Sequence, residues 1–135
     1  MTHTDLIAIR ATADKGDITM TNYPDFVASL VKPGDKIAKE MSPSKAHILH
    51  MVVGISGEAG ELLDAVKKWA IYNKPLDREN ILEELGDIEF YLEGFRQAIG
   101  ATRETILNNN IAKLSDRYSS GSYSDDQAIS RADKA

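Results

Sequence analysis

Four carboxylates fall in two matched pairs: Glu58 and Glu61 in the run GEAGELLDAVKK, and Glu84 and Asp87 in EELGDIEFYL. Side chains three apart leave a helix from the same side, about one turn from each other. Clustered carboxylates repel one another, and their common use is to hold a hard divalent cation through oxygen. The spacing alone is a weak signal, because a chain this acidic contains about three acid-x-x-acid pairs by chance. Four occur, counting Asp14/Asp17 and Glu61/Asp64. What sets the two pairs apart is their matched phase on neighbouring helical stretches.

The elements that must position them are helices. Pro24 opens a first segment, Pro24–Val31, which Lys32-Pro33-Gly34 ends. Ser42-Pro43 starts a long helix reaching about Tyr72, and Asn73-Lys74-Pro75 turns the chain. Asp77 caps a third helix that Gly100 stops, and Thr102 caps a fourth running to about Tyr118. Strand-type alternation is essentially absent. The pattern predicts an all-α bundle of four to five helices over residues 21–118. Residues 1–20 form an extension with no clear pattern. Residues 119–135, Ser- and Asp-rich, form a tail that is extended or carries one short helix.

Phase refines this expectation. In the second helix Ile48, Val52, Ile55, Ala59, Leu62, Val66 and Ala70 follow steps of three and four, a core stripe with Glu58 and Glu61 to one side. In the third, Ile81, Leu85, Ile88, Leu92, Phe95 and Ile99 form the stripe, with Glu84 and Asp87 displaced to the same hand. The short Asn73–Leu76 connection favours antiparallel pairing, which turns the four acids toward each other. Gly54, Gly57 and Gly60 each cost a helix about 1 kcal/mol relative to alanine. With Gly86 and Gly94, they indicate close approach of a helix or ligand near the acids. A third polar row, Asn110, Lys113 and Arg117, lies beside the stripe of the fourth helix and suits phosphate oxygens; a solvated face is the plainer alternative.

Composition narrows the classes. The formal net charge of −5 argues against broad binding to nucleic acid or an anionic membrane. The absence of cysteine excludes disulfides and thiolate zinc sites and fits the cytoplasm. Neither a membrane-spanning run nor a signal-peptide core is expected. No Glu-x-x-His occurs, against a di-iron carboxylate bundle. His47 and His50 lie near the acidic face, where a packing or substrate-edge role fits better than metal ligation, since hard cations prefer oxygen. Trp69 and Tyr91 lie near the acid phase and can stack on a base or pack an interface. Arg131 and Lys134 read as solvent-facing charge in the tail.

Together GEAGELLDAVKK and EELGDIEFYL, joined by a 22-residue spacer between Glu61 and Glu84, resemble the MazG-like all-α nucleoside triphosphate pyrophosphohydrolases, whose signature is E-x-x-E followed by E-x-x-D. Asn110-x-x-Lys113-Leu114-x-x-Arg117-Tyr118 is similar to that family's N-x-x-K-L-x-x-R-Y ending, and the resemblance covers about residues 50–118. It implies hydrolysis of a nucleoside or deoxynucleoside triphosphate to the monophosphate and pyrophosphate, with a role in controlling nucleotide pools. It also implies magnesium, or manganese in its place, and a homo-oligomer, dimer or tetramer. Glu58, Glu61, Glu84 and Asp87 match the metal-binding, catalytic positions. Lys68, Asn110, Lys113 and Arg117 become candidates for phosphate, with Trp69 and Tyr91 for the base. Glu83 ranks lower because its phase points away. A phosphoribosyl-ATP pyrophosphatase is a related alternative. From another class, a helical nucleotide-binding or regulatory module without turnover would keep the same scaffold.

Overall fold

A computed structural model describes Thr19 and residues 22–134; the rest of the extension expected over residues 1–20 lies outside the described residues. Among the described residues the fold is all-helical, with six α-helices, one 3-10 turn and no strand. The chain divides into two compact units at Ser42.

The first unit carries α1 (Tyr23–Leu30) and α2 (Gly34–Glu40). Pro24 sits in the first turn of α1, as its fixed φ and missing N–H favour. The α2 helix is absent from the sequence expectation. Lys32-Pro33-Gly34 ends α1 as its sequence predicts, yet extended Pro33 also launches the next helix, whose first turn holds Asp35. An ion pair from Lys32 to Glu40 spans α2.

The second unit holds α3 (Pro43–Ala70), α4 (Arg78–Ile99), α5 (Arg103–Arg117), α6 (Asp125–Ser130) and the 3-10 turn Ala132–Lys134. Its punctuation follows the sequence. Asn73 takes a left-handed φ of 54°, and the Lys74 N–H returns 3.1 Å to the Lys68 carbonyl, closing α3. Asp77 accepts from the Asn80 N–H at 3.0 Å and Thr102 from the Thr105 N–H at 3.1 Å, satisfying N-terminal donors of α4 and α5. Gly100, at φ 66°, ends α4 with the Ala101 N–H on the Arg96 carbonyl.

The α3 and α4 helices pack along one another. Gly94 of α4 faces Met51, Tyr91 faces Gly54, and Glu84 lies with Glu58, so the residue numbers run in opposite senses and the pair is antiparallel. The expected stripes need correcting. Ile48, Ile55 and Leu62 are half-buried along the seam, but it also takes Met51, Glu58 and Ala65, while Val52, Ala59, Val66 and Ala70 lie exposed. On α4 the seam runs through Ile81, Glu84, Ile88, Tyr91 and Phe95, leaving Leu85 and Ile99 exposed. Two long helices meet along a line of alternating three- and four-residue steps, narrower than the stripe of a helix sunk in a broad core. The residual apolar positions form a separate, uncovered face.

Two glycines make the approach possible. An added Cβ at Gly54 would lie 2.3 Å from the Tyr91 ring, and one at Gly94 would lie 2.5 Å from the Met51 sulfur. Gly57, Gly60 and Gly86 have open space instead, so close helix contact within this chain does not explain them.

The tail is not simply extended. Arg117 donates from Nε at 2.7 Å and Nη2 at 3.0 Å to the two oxygens of Asp133, whose side chain is 1% exposed. The guanidinium holds that carboxyl down to about 2. Tyr118 and Tyr123 meet at 5.8 Å beside this clasp. Arg131 and Lys134 are exposed, as expected.

Gly54→Ala should destabilise the protein by about 1–3 kcal/mol through overpacking, despite the gain in helix propensity. Gly57→Ala, with room for its methyl, should stabilise by up to about 1 kcal/mol. Urea unfolding of both variants gives the comparison, and equal shifts would remove the close-approach account of Gly54.

Candidate metal centre

The seam brings carboxylates together at mid-length. One oxygen each of Glu58, Glu84 and Asp87 lies within 4.8 Å of the others. Glu58 comes from α3 on the contact line, Glu84 from the facing line of α4, and Asp87 one turn further at its edge. Glu84 is 8% exposed, and its Oε2 has no hydrogen-bond partner. A buried acceptor without a donor is costly to maintain. Its surroundings add to this. Burial first, then the charges of Glu61, Glu58 and Asp87 and the closeness of the Glu58 carboxyl, push the Glu84 carboxyl above the ordinary glutamate value of 4.5.

These features fit a hard divalent cation. The donors are all oxygens, three already converge, and the orphaned Oε2 lacks only an electropositive partner. Glu61 is exposed and outside the close trio, but near enough for its charge to act on Glu84. Neither His47 nor His50 belongs to the trio.

The other expected site residues are placed less uniformly. Lys68 pairs with Asp64 at 2.8 Å, and Lys67 shares that acid at 3.2 Å. Asn110 and Lys113 are exposed on α5, a helix that packs chiefly against the C-terminal 3-10 turn. Arg117 is engaged by Asp133 rather than facing open solvent. Trp69, 49% exposed, stands at the end of α3. Tyr91 is half-buried on Gly54, one turn beyond Asp87.

The sequence alone does not group Tyr91 with its two ring neighbours. His50 meets its ring at 6.0 Å and Phe90 at 5.1 Å, both edge-on. The available signal was a glycine opposite an aromatic, Gly54 across from Tyr91, beside the acids. Asp133 was unreadable as a partner for Arg117, because nothing in the tail's composition fixes where it docks.

The family model of the MazG nucleotide pyrophosphohydrolase domain matches residues 47–121, more than half of the chain. The chain belongs to this family, whose chemistry is nucleotide pyrophosphohydrolysis and typically depends on a metal. No curated protein and no solved structure matches it. No described helix is long and apolar enough to cross a membrane.

A carboxyl raised on folding contributes stability below its unfolded value, lost as pH rises through the elevated folded one. Metal-free protein should therefore lose stability from Glu84 as pH climbs above about 4.5. Glu84→Gln should raise the metal-free melting temperature at pH 7 and flatten this slope. Added magnesium should stabilise the wild type but not the variant. Identical melting curves for the two proteins across pH would contradict the burial argument.

Proposed function

We propose that this chain is a magnesium-dependent hydrolase that cleaves a nucleoside or deoxynucleoside triphosphate to the monophosphate and pyrophosphate, and so acts on nucleotide pools. The observation that carries the reading is the buried, unpartnered Glu84 oxygen within the Glu58–Glu84–Asp87 trio of a MazG-family chain.

In this reading Glu58, Glu84 and Asp87 hold the cation, and Glu61 at the open edge completes the acidic set. A bound magnesium, or manganese in its place, neutralises the polyphosphate, polarises the α-phosphoryl group and makes a bound water more acidic. Water attacks the α-phosphorus, the bond to the bridging oxygen of the β-phosphate breaks, and pyrophosphate departs. The carboxylates fix the ligand geometry and take up the proton released from water. The seam excludes water from behind Glu84, which strengthens electrostatic interactions there.

Lys68, Asn110, Lys113 and Arg117 are proposed to meet phosphate oxygens, with Lys68 exchanging Asp64 for phosphate. The α5 row is carried by a helix that packs mainly on the C-terminal turn, so its cations are proposed to serve the acids of a second copy. Assembly as a dimer or tetramer is supported by the uncovered face bearing Val52, Leu63, Val66, Leu85 and Ile99. Cytoplasmic residence and independence from nucleic acid and membrane belong to the same proposal.

Pyrophosphate release from a panel of nucleotides, with and without magnesium, tests the activity. Glu61→Gln and Asp87→Asn should each abolish magnesium-dependent release while circular dichroism shows helicity nearly intact. Arg117→Ala should weaken substrate use with smaller effects on metal affinity. Full activity in both acid variants would defeat the assignment.

Light scattering at micromolar concentration should give a mass of at least two chains. A strict monomer would remove the proposed assembly.

A further inference from the structure

The C-terminal tail is held to α5 by charge more than by apolar packing. Its two large apolar side chains, Tyr123 and Ile129, are 72% and 80% exposed, and helix α6 buries no residue. What is sunk is one carboxylate. The Asp133 side chain is 1% exposed and accepts both Arg117 donors, Nε at 2.7 Å and Nη2 at 3.0 Å. A guanidinium grips phosphate with that same planar fork, so a carboxylate seated in it occupies the place of a phosphoryl group. The tether between the two, residues 118–132, folds back on itself, with Gln127 bonded to Ser119 at 3.2 Å and to Ser120 at 3.1 Å. Elsewhere along the polar row of α5, Asn110 and Lys113 are exposed, and Lys113 has no ion pair among the described residues. The row is thus open to an anion except at Arg117, where the chain supplies its own.

We infer that the C-terminal tail is an autoinhibitory strap, in which Asp133 occupies the Arg117 guanidinium and must leave it before a polyphosphate can be gripped there. This rests on the proposed hydrolysis and adds a regulation of the same site. Because the competitor is tethered, it is present at a fixed local concentration however scarce the nucleotide is. Apparent affinity is then reduced by the fraction of chains whose strap is open. Opening exposes mainly a carboxylate and a guanidinium, both well hydrated in water, and little hydrocarbon. The exchange is one of like for like: Arg117 trades a singly charged acceptor for a more highly charged one, and Asp133 goes to solvent. Asp133 is therefore a regulatory residue that touches no substrate, and the acid trio is untouched by its movement.

Calorimetry with magnesium and inorganic tripolyphosphate, together with steady-state turnover of nucleoside triphosphates, reads the strap. Asp133→Asn keeps the size of the side chain and removes its charge. It should tighten tripolyphosphate about tenfold and lower KM by a similar factor, with kcat within about twofold, since only the open fraction changes. Asp126→Asn removes the same charge from an exposed tail position and should leave affinity within about twofold. Gln127→Ala loosens the tether without touching the ion pair and should give a smaller gain in the same direction. In an Arg117→Ala background, Asp133→Asn should add nothing. Unchanged or weakened tripolyphosphate binding in a helical Asp133→Asn protein, or an equal gain from Asp126→Asn, overturns the inference. Should Asp133→Asn lose its helicity, Gln127→Ala decides, and no gain there overturns it equally. If the wild type binds tripolyphosphate and releases pyrophosphate while the tail variants match it, the strap fails and the hydrolase reading stands. If the wild type does neither, both fail together.

Discussion

A carboxylate placed between two helices governs this molecule. Glu84 occupies a position where the contact line would ordinarily take a leucine or alanine, and Glu58 occupies the facing line. Each gains proximity to the other through the packing of α3 on α4, and each loses hydration through it. No basic side chain is among the causes acting on Glu84; every charge that does act on it is another acid. The seam therefore holds together through its apolar levels, Met51 and Ala65 above and below the acids, against a repulsion at its middle. An arrangement of this kind is stable only where packing on both sides exceeds the local penalty.

The glycine seats serve that balance. Tyr91 over Gly54 and Met51 over Gly94 bring the helices closer than two side chains would permit, and they do so on the side of the seam where Tyr91 adjoins Asp87. The ring group and the acid trio are thus consecutive levels of one groove. The opposite face of the same hairpin is apolar and uncovered, so the two long helices carry their acids and their exposed apolar residues on different faces. The C-terminal segment solves a different problem. Helix α5 lacks a long partner helix in the described chain, and the Arg117–Asp133 pair ties it to its own tail across 16 residues.

Much of this was legible in the sequence, and the part that was not has a physical cause. Helix ends were marked by groups with one local job: Asp77 and Thr102 accepting N–H donors, Gly100 entering a left-handed turn, Pro24 in a first turn. The convergence of Glu58, Glu84 and Asp87 followed from phase and a short connection, both local. The burial of Glu84 did not, since an acid beside an apolar stripe reads as a flank until the partner helix narrows the seam to its own line. The α2 helix was hidden because one tripeptide both ends α1 and begins α2. The clasp at Asp133 depends on where a tail docks, and no periodicity encodes that.

The hairpin also sets an order of events. Residues of α3 and α4 that touch are joined by a short connection anchored at Asn73 and Asp77, so the chain closes only a small loop before the seam begins to zip, and nearby contacts form quickly. Its other apolar face gains nothing from that first step. Val52, Leu63, Val66, Leu85 and Ile99 stay in water until something outside the hairpin arrives. Formation of the acid-bearing seam is therefore a first-order process, whereas covering that face by another copy would be second-order and set by chain concentration. During dilute synthesis the interval between the two is when this protein is most exposed to adhering to the wrong surface.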